Sequence, residues 1–224
     1  MNQEFSVNVR INDLRSFIPL LKNLGSRESR DAMSDGVHVV AQGKRVLLVG
    51  MDRKVLLVLN VSKDIYTNFH ETEFTIPSAL ILKLKKPKKA NMQCHIVFVD
   101  GRVKIYFAES EPCLEGESLE VEGLHFPPWE RVVPMGNFER LGVSSAPLSG
   151  FKRIGECLEF LGCEHPRLAF YGREGGNIVA RVLGFGNVLA VLAPGLRDDM
   201  PRNFDSCEWM GEEYSEKALK ELLS

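Results

Sequence analysis

The sequence predicts an α+β fold assembled from three copies of one βαβββ unit, with antiparallel sheets and with the helices gathered on one face. Three observations carry that prediction. The apolar pattern switches from a strand period of about two to a helix period of about 3.6 and back, in the same order, three times along the 224 residues. The units begin near Phe5, Phe74 and Glu139, at roughly even spacing. Turn-forming residues separate the alternating stretches within each unit. A helix flanked by antiparallel strands buries one face on the sheet, so joined units can line their helices on one side and their sheets on the other.

The first unit opens with FSVNVR, an alternating strand. INDLRSFIPLLKNLG follows, with Leu14, Phe17, Ile18, Leu21 and Leu24 on one helical stripe and Gly25 as its stop. Pro19 removes a backbone donor and should kink this helix or delay its start. VHVVAQ, KRVLLVG and KVLLVLNV read as three strands. In the second unit EFTIP is a strand, and SALILKLKK is a short helix that buries Leu80, Ile81 and Leu84 and is stopped by Pro87. CHIVFV and RVKIYFA are strands joined by Asp100–Gly101, a strong hairpin turn because both residues tolerate positive φ. ESLEVEG is a shorter third strand. In the third unit ERLGVSS is a strand and PLSGFKRIGECLEFLG a helix, with Pro147 near its first turn, where a missing N–H costs nothing. Leu148, Phe151, Ile154, Leu158 and Leu161 make the buried stripe and Gly162 ends it; RLAFYG, NIVARVLG and NVLAVLAP complete the unit.

Hydrophobic residues at 44% and charged residues at 26% are ordinary for a globular protein. No apolar run is long enough to span a bilayer, and the N-terminus does not read as a signal peptide, so a cytoplasmic protein without a membrane partner is expected. Five cysteines, none in a C-x-x-C pair, argue against a disulfide framework or a zinc site. The five histidines lack metal-ligand spacing. GREGGN and GFGN open no helix and precede no Lys-Ser/Thr, so they read as hairpin turns rather than phosphate loops. No cofactor and no catalytic constellation is expected; the protein should not be an enzyme.

The net charge of −2 is unevenly spread. SALILKLKKPKKAN, residues 78–91, carries five lysines and no acid, whereas residues 109–122 carry six glutamates and no base. Residues 198–224 carry eight acids. Such a chain repels polyanions generally and attracts one on a single face.

FPPWERVVP, residues 126–134, is too stiff for a helix and too apolar for an ordinary loop. It falls after two complete units and before the third, as a rigid joint. The chain thus divides into a two-unit domain at 1–123, the joint at 124–137, a third unit as a half domain at 138–197, and an acidic tail at 198–224 ending in a helix near Ser215–Leu223.

The joint resembles the F-P-x-x-R-R-V-L-P segment of bacterial DNA polymerase III beta sliding clamps, through Phe126, Pro127, Arg131, Val132 and Pro134; Glu130 replaces the first arginine and Val133 the leucine. EFTIPSALILKLKK resembles the opening of that family's second motif, and LGVSSAPLSGFKRIGECLEFLG with the strands ending VLAPGL resembles its final motif. A clamp subunit has three domains of two motifs each; this chain has three motifs in all. The resemblance implies a DNA-clamp fold whose inner helices meet phosphates. It places Lys83, Lys85, Lys86, Lys88 and Lys89 at the DNA, joined by Arg15, Lys22, Lys152 and Arg153. The family's Met-Pro-Met-Arg, beside its partner-peptide cleft, aligns with Ala193, Pro194, Gly195 and Leu196, which makes Pro194 and Leu196 the partner-binding positions; with the methionines replaced and Gly195 lacking a side chain, the cleft is expected to be shallower and to bind the usual clamp-binding peptides weakly or not at all. The expected function is a processivity or tethering factor that self-assembles, as a dimer or tetramer, around or along double-stranded DNA without sequence specificity, in company with polymerase or clamp-loader proteins. The alternative is a clamp-like interaction protein, of phage or mobile-element type, that binds replication proteins and does not encircle DNA.

Overall fold

The computed structural model of the chain describes residues 5–22, 35–52, 54–62, 69–107, 114–118, 139–140, 148–172 and 177–193. The joint, the acidic tail, Pro194 and Leu196 lie outside them. The first unit runs β1 (Phe5–Arg10), α1 (Ile11–Arg15), α2 (Ile18–Lys22), β2 (Gly36–Gly43), β3 (Arg45–Met51) and β4 (Val55–Asn60). The second runs β5 (Phe69–Pro77), α3 (Ser78–Ile81), β6 (Gln93–Val99), β7 (Arg102–Phe107) and β8 (Leu114–Glu117). The third runs β9 (Glu139–Arg140), α4 (Leu148–Phe160), β10 (Leu168–Gly172), β11 (Ile178–Val182) and β12 (Val188–Leu192).

Within the first two units the opening strands change places. β1 leaves its own unit and pairs antiparallel with β6, from Phe5↔Phe98 to Arg10↔Gln93. β5 pairs with β2, from Gly36↔Pro77 to Gly43↔Phe69. The exchange is matched at the helix starts, where Ile11 N–H donates to the carbonyl of Met92 and Ser78 N–H to that of Asp35, each at 2.9 Å. The exchanged strand β1 alternates strictly. Phe5, Val7 and Val9 of β1 point inward while Ser6, Asn8 and Arg10 face out. The two opening phenylalanines meet edge to face, Phe5 on Phe74 at 5.4 Å, and Phe74 stacks on Phe98 at 4.5 Å.

Two sheets result, one of four strands in the order β1-β6-β7-β8 and one of eight in the order β5-β2-β3-β4-β12-β11-β10-β9. The eight-stranded sheet exists because β4 pairs with β12, from Val188↔Leu59 to Leu192↔Val55. Both strands are apolar on both faces, as suits the middle of a sheet. α4 lies over this seam. Gly150 makes the approach possible, since a Cβ there would stand 2.7 Å from Leu192. Asp52, buried in the β3–β4 turn, accepts from the backbone N–H groups of Lys54 and Val55 and forms an ion pair with Arg153 of α4. Lys54 Nζ reaches Ser149 Oγ at 3.1 Å, and the Lys54 carbonyl accepts from Ala193 N–H. The described parts of all three units belong to one compact body, Met1–Pro194.

Several boundaries differ from the sequence expectation. The first helix is two short ones, broken at Ser16–Phe17, where Ser16 Oγ donates to the Asp13 carbonyl and Pro19 enters as the second residue of α2. α3 is a single turn rather than a helix through Lys86. Lys83 N–H and Leu84 N–H close tight bonds to Leu80 and Ile81, Pro87 disfavours helical backbone at Lys86, and adjacent like charges add nothing to hold a second turn. LEGE, Leu114–Glu117, is a strand of the second unit: Glu115 meets Arg102 and Lys104 of β7 and Gly116 leaves room for Leu80, while most of ESLEVEG lies outside the described residues. The hairpin at Asp100 and Gly101, with φ of 50° and 72°, is as expected, as is the stop at Gly162, φ 81°.

Two measurements test this packing. Asp52→Ala strands a half-buried guanidinium and two backbone donors, and should lower unfolding free energy in urea by about 3 kcal/mol; a loss under about 0.5 kcal/mol would contradict the seam's role. His38 on β2 is buried, hydrogen-bonded to Thr75 Oγ1 at 3.2 Å with the exposed Glu73 carboxylate 3.6 Å away, and burial pushes its pKa down from 6.5 to about 4. The unfolded chain therefore takes up a proton that the fold refuses. Stability should be full above pH 6.5 and fall as pH drops from 6.5 to about 4, by up to about 1.4 kcal/mol per unit from this group. His38→Gln should flatten that slope.

Candidate nucleic-acid interface

The lysine-rich segment is held at both ends and free along its length. Ser78 Oγ donates to Asp35 Oδ1 at 2.6 Å at its start. Leu80, Ile81 and Leu84 are buried and anchor it to the core. At its far end Met92 N–H donates to the Lys89 carbonyl, the Met92 carbonyl accepts from Ile11 N–H, and Asn12 Nδ2 reaches the Ala90 carbonyl at 3.4 Å. Between these anchors Lys83, Lys85, Lys86, Lys88 and Lys89 are all exposed. No carboxylate pairs with any of them among the described residues. Three buried leucine and isoleucine side chains thus set five ammonium groups on one irregular, exposed segment beside the start of α1.

The remaining expected positions behave differently. Lys22, at the end of α2, is exposed. Lys152 is exposed and stands 3.9 Å from Glu156 one turn along α4. Arg153 is taken up by Asp52. Arg15 lies half-buried with its guanidinium 4.9 Å from the Phe160 ring centre, its Nε is buried without a hydrogen-bond partner, and desolvation lowers its pKa. Arg15 and Arg153 therefore tie α1 and the β3–β4 turn to α4, whereas the lysines of the α3 segment and Lys22 are exposed. The pairing of Arg153 with a residue 101 positions away leaves no local trace in the sequence. Arg10, bonded to the buried Asp13 through two nitrogens, is a further cation engaged within the structure.

Among the described residues no group of three His, Cys, Asp or Glu residues is placed to hold a metal. Cys94, Cys157 and Cys163 are free and buried. Burial pushes Cys94 and Cys157 up to about 12, with Asp13 adding to the first and Glu156 to the second. Among the described residues no helix is long and apolar enough to cross a membrane. At pH 8 only about one thiol in ten thousand would be ionised at such a pKa. Iodoacetamide should therefore leave Cys94 and Cys157 unmodified in the folded protein and alkylate both in urea; rapid labelling of either without denaturant would show that the interior opens.

No protein-family model matches the sequence, and no curated protein matches it. Solved structures do. A sliding clamp from Pseudomonas aeruginosa bound to griselimycin superposes with a TM-score of 0.61 at 12% identity, over 86% of this chain and 65% of that one. The DNA polymerase III beta subunit of Borrelia burgdorferi, in complex with a natural product, gives 0.61 at 12%, over 86% and 64%. That of Thermotoga maritima gives 0.58 at 11%, over 90% and 69%. The chain spans about two thirds of the length of these subunits. At such identities the likeness concerns the fold: three βαβββ units, the first two paired by strand exchange and the third joined edge to edge, give this chain the α+β architecture of the bacterial DNA sliding clamps.

Proposed function

We propose that the protein is a sliding-clamp-like, non-catalytic factor that binds double-stranded DNA without sequence specificity and serves processivity or tethering through self-assembly. The observation that carries this reading is the exposed run Lys83, Lys85, Lys86, Lys88 and Lys89, free of carboxylate partners among the described residues, in a chain of net charge −2. A mildly acidic protein that sets five exposed cations side by side on one segment has a use for one anionic surface. Lysine suits an interaction that must read phosphate charge and let go, because its compact, hydrated ammonium imposes little geometry. Hydrogen bonds to phosphate carry no sequence information. Lys22 and Lys152 extend the same interface in this reading. Arg15 and Arg153 contribute by holding the helices rather than by touching DNA. Pro194 and Leu196 remain the proposed docking point for polymerase or loader proteins.

The alternative reading is a clamp-like interaction protein that binds replication proteins without encircling DNA. The readings part on DNA affinity. Fluorescence anisotropy with a short duplex should detect binding that weakens steeply with salt. Lys83→Glu/Lys86→Glu/Lys89→Glu should weaken it further and reduce the slope of log K against log salt by about 0.9 for every phosphate no longer neutralised. Absence of wild-type binding at low salt would overturn the first reading and leave the second.

A further inference from the structure

We propose that the outer face of the eight-stranded sheet is a docking surface for the chain's own joint, and that residues 119–138, which carry FPPWERVVP, cross it as a further layer. The inference rests on burial and chain path, so it holds or fails whatever the lysines do and whether or not copies assemble.

The two faces of that sheet belong to different apolar clusters. On one face Leu48, Leu57, Ala190 and Ile178 share a core with the helices and the four-stranded sheet. Phe17 lies against Gly50 on this face, and Gly150 of α4 against Leu192 and Val55. The alternate positions point the other way. There Val49, Leu56, Val58, Val191 and Val179 form a second cluster, and the half-buried Leu189 and Tyr171 pack against it. The register lays these residues side by side across the strands: Val49 opposite Val58, Leu56 opposite Val191, Val191 opposite Val179. His38 lies opposite Val49, and Thr75 opposite His38, so the row continues to β5.

This outer row is covered. Val49 is 0% exposed, Val191 1%, Leu56 2%, Val179 4%, Thr75 5%, His38 6% and Val58 7%. Yet among the described residues only strands of the sheet itself contribute to the second cluster; the described helices and the four-stranded sheet bury their apolar side chains in the first. A sheet face with nothing over it does not shield side chains so far, because neighbours in the plane cover only their flanks. The cover is therefore a further segment of the chain.

The ends of the joint give its path. Ser118 N–H donates to the Gly101 carbonyl, and Ser118 Oγ accepts from Thr75 N–H and donates to the Thr75 carbonyl, which places it at the edge of β5. Glu139 of β9 pairs with Gly172 at the opposite end of the strand order. Seven strand spacings separate β5 from β9, about 34 Å at about 4.8 Å each. Residues 119–138 reach about 65 Å when extended, so they span the sheet with length to spare. The helix face is filled, which leaves the outer one. The composition suits it. Phe126, Trp129, Val132, Val133 and Met135 supply apolar side chains, and Pro127, Pro128 and Pro134 favour extended backbone and present no N–H that a strand would have to satisfy. The acidic tail is the rival occupant, but its eight carboxylates lose hydration against an apolar row.

The test uses the full chain without DNA. The photo-cross-linking amino acid p-benzoylphenylalanine is placed at Tyr171 and, separately, at Leu189, both half-buried beside the outer cluster. After irradiation, peptide mass spectrometry of the band of monomer mass should find the cross-link on residues 119–138. A cross-link to residues 198–224 would make the tail the cover, a covalent dimer would make it a second copy, and no cross-link would leave the face bare; each of these overturns the proposal. A second measurement leaves the sheet unaltered. In Trp209→Phe the joint's Trp129 is the only tryptophan. Its emission should lie to the blue of its emission in urea and resist quenching by acrylamide, with both properties lost on unfolding. Emission and quenching in native buffer equal to those in urea would show a joint in water and overturn the proposal.

Discussion

Asp52 carries more of this structure than any other charged residue described. Its two carboxylate oxygens act in different directions. One closes the β3–β4 turn by accepting from Lys54 and Val55, and the other holds Arg153 of α4. The turn thereby fixes where β4 ends, and α4 is pinned over that point. β12 then has one register in which to add to β4, and Gly150 lets the helix settle on Leu192 as it does so. An ion pair with one partner buried and the other 19% exposed costs desolvation and adds little net stability by itself. Its value is positional: alternatives in which α4 sits elsewhere leave a buried carboxylate without its cation. Strands apolar on both faces, such as β4 and β12, would otherwise slip in register at small cost, because a slip still buries apolar groups.

The same balance between burial and hydration explains why arginine and lysine divide their duties. Arg15 and Arg153 are used inside, against the Phe160 ring and Asp52, and Arg10 reaches from the surface to the buried Asp13. A planar guanidinium tolerates partial burial and stacks on an aromatic face, whereas an ammonium keeps its water. The five lysines of the α3 segment stay outside for the same reason, while Leu80, Ile81 and Leu84 of the same segment are buried.

The repeat, the described strands in outline and the Asp100–Gly101 turn were legible in the sequence because each rests on local rules: alternation, turn chemistry and tolerance of positive φ. Elements set by tertiary packing were not. LEGE becomes a strand because Arg102 and Lys104 wait opposite Glu115, a fact about β7. α3 stops at Ile81 although a helical stripe continues to Leu84, because the core needs Leu84 but not the turn between. The exchange of β1 and β5 is invisible locally, since either strand would read the same if paired within its own unit. The lysines of the candidate site were legible as a charge run. That Arg15 and Arg153 are engaged in packing was not, for their partners lie far away in the chain.

Strand exchange also bears on how a repeat of this kind can change its number of units. A unit whose opening strand always paired with its own second strand would be closed, and copies could be added or removed one at a time. A unit that passes its strand to a neighbour is tied to that neighbour. In the third unit the described residues of β9 lie on the unit's own β10, Arg140 opposite Tyr171 and Glu139 opposite Gly172, so both arrangements occur in one chain. The exchanged strands β1 and β5 run to six and seven register pairs, and Val37, Val39 and Ile96 beneath them are completely buried. Exchange therefore joins the first two units through backbone hydrogen bonds as well as through a shared core, and neither keeps its sheet whole without the other.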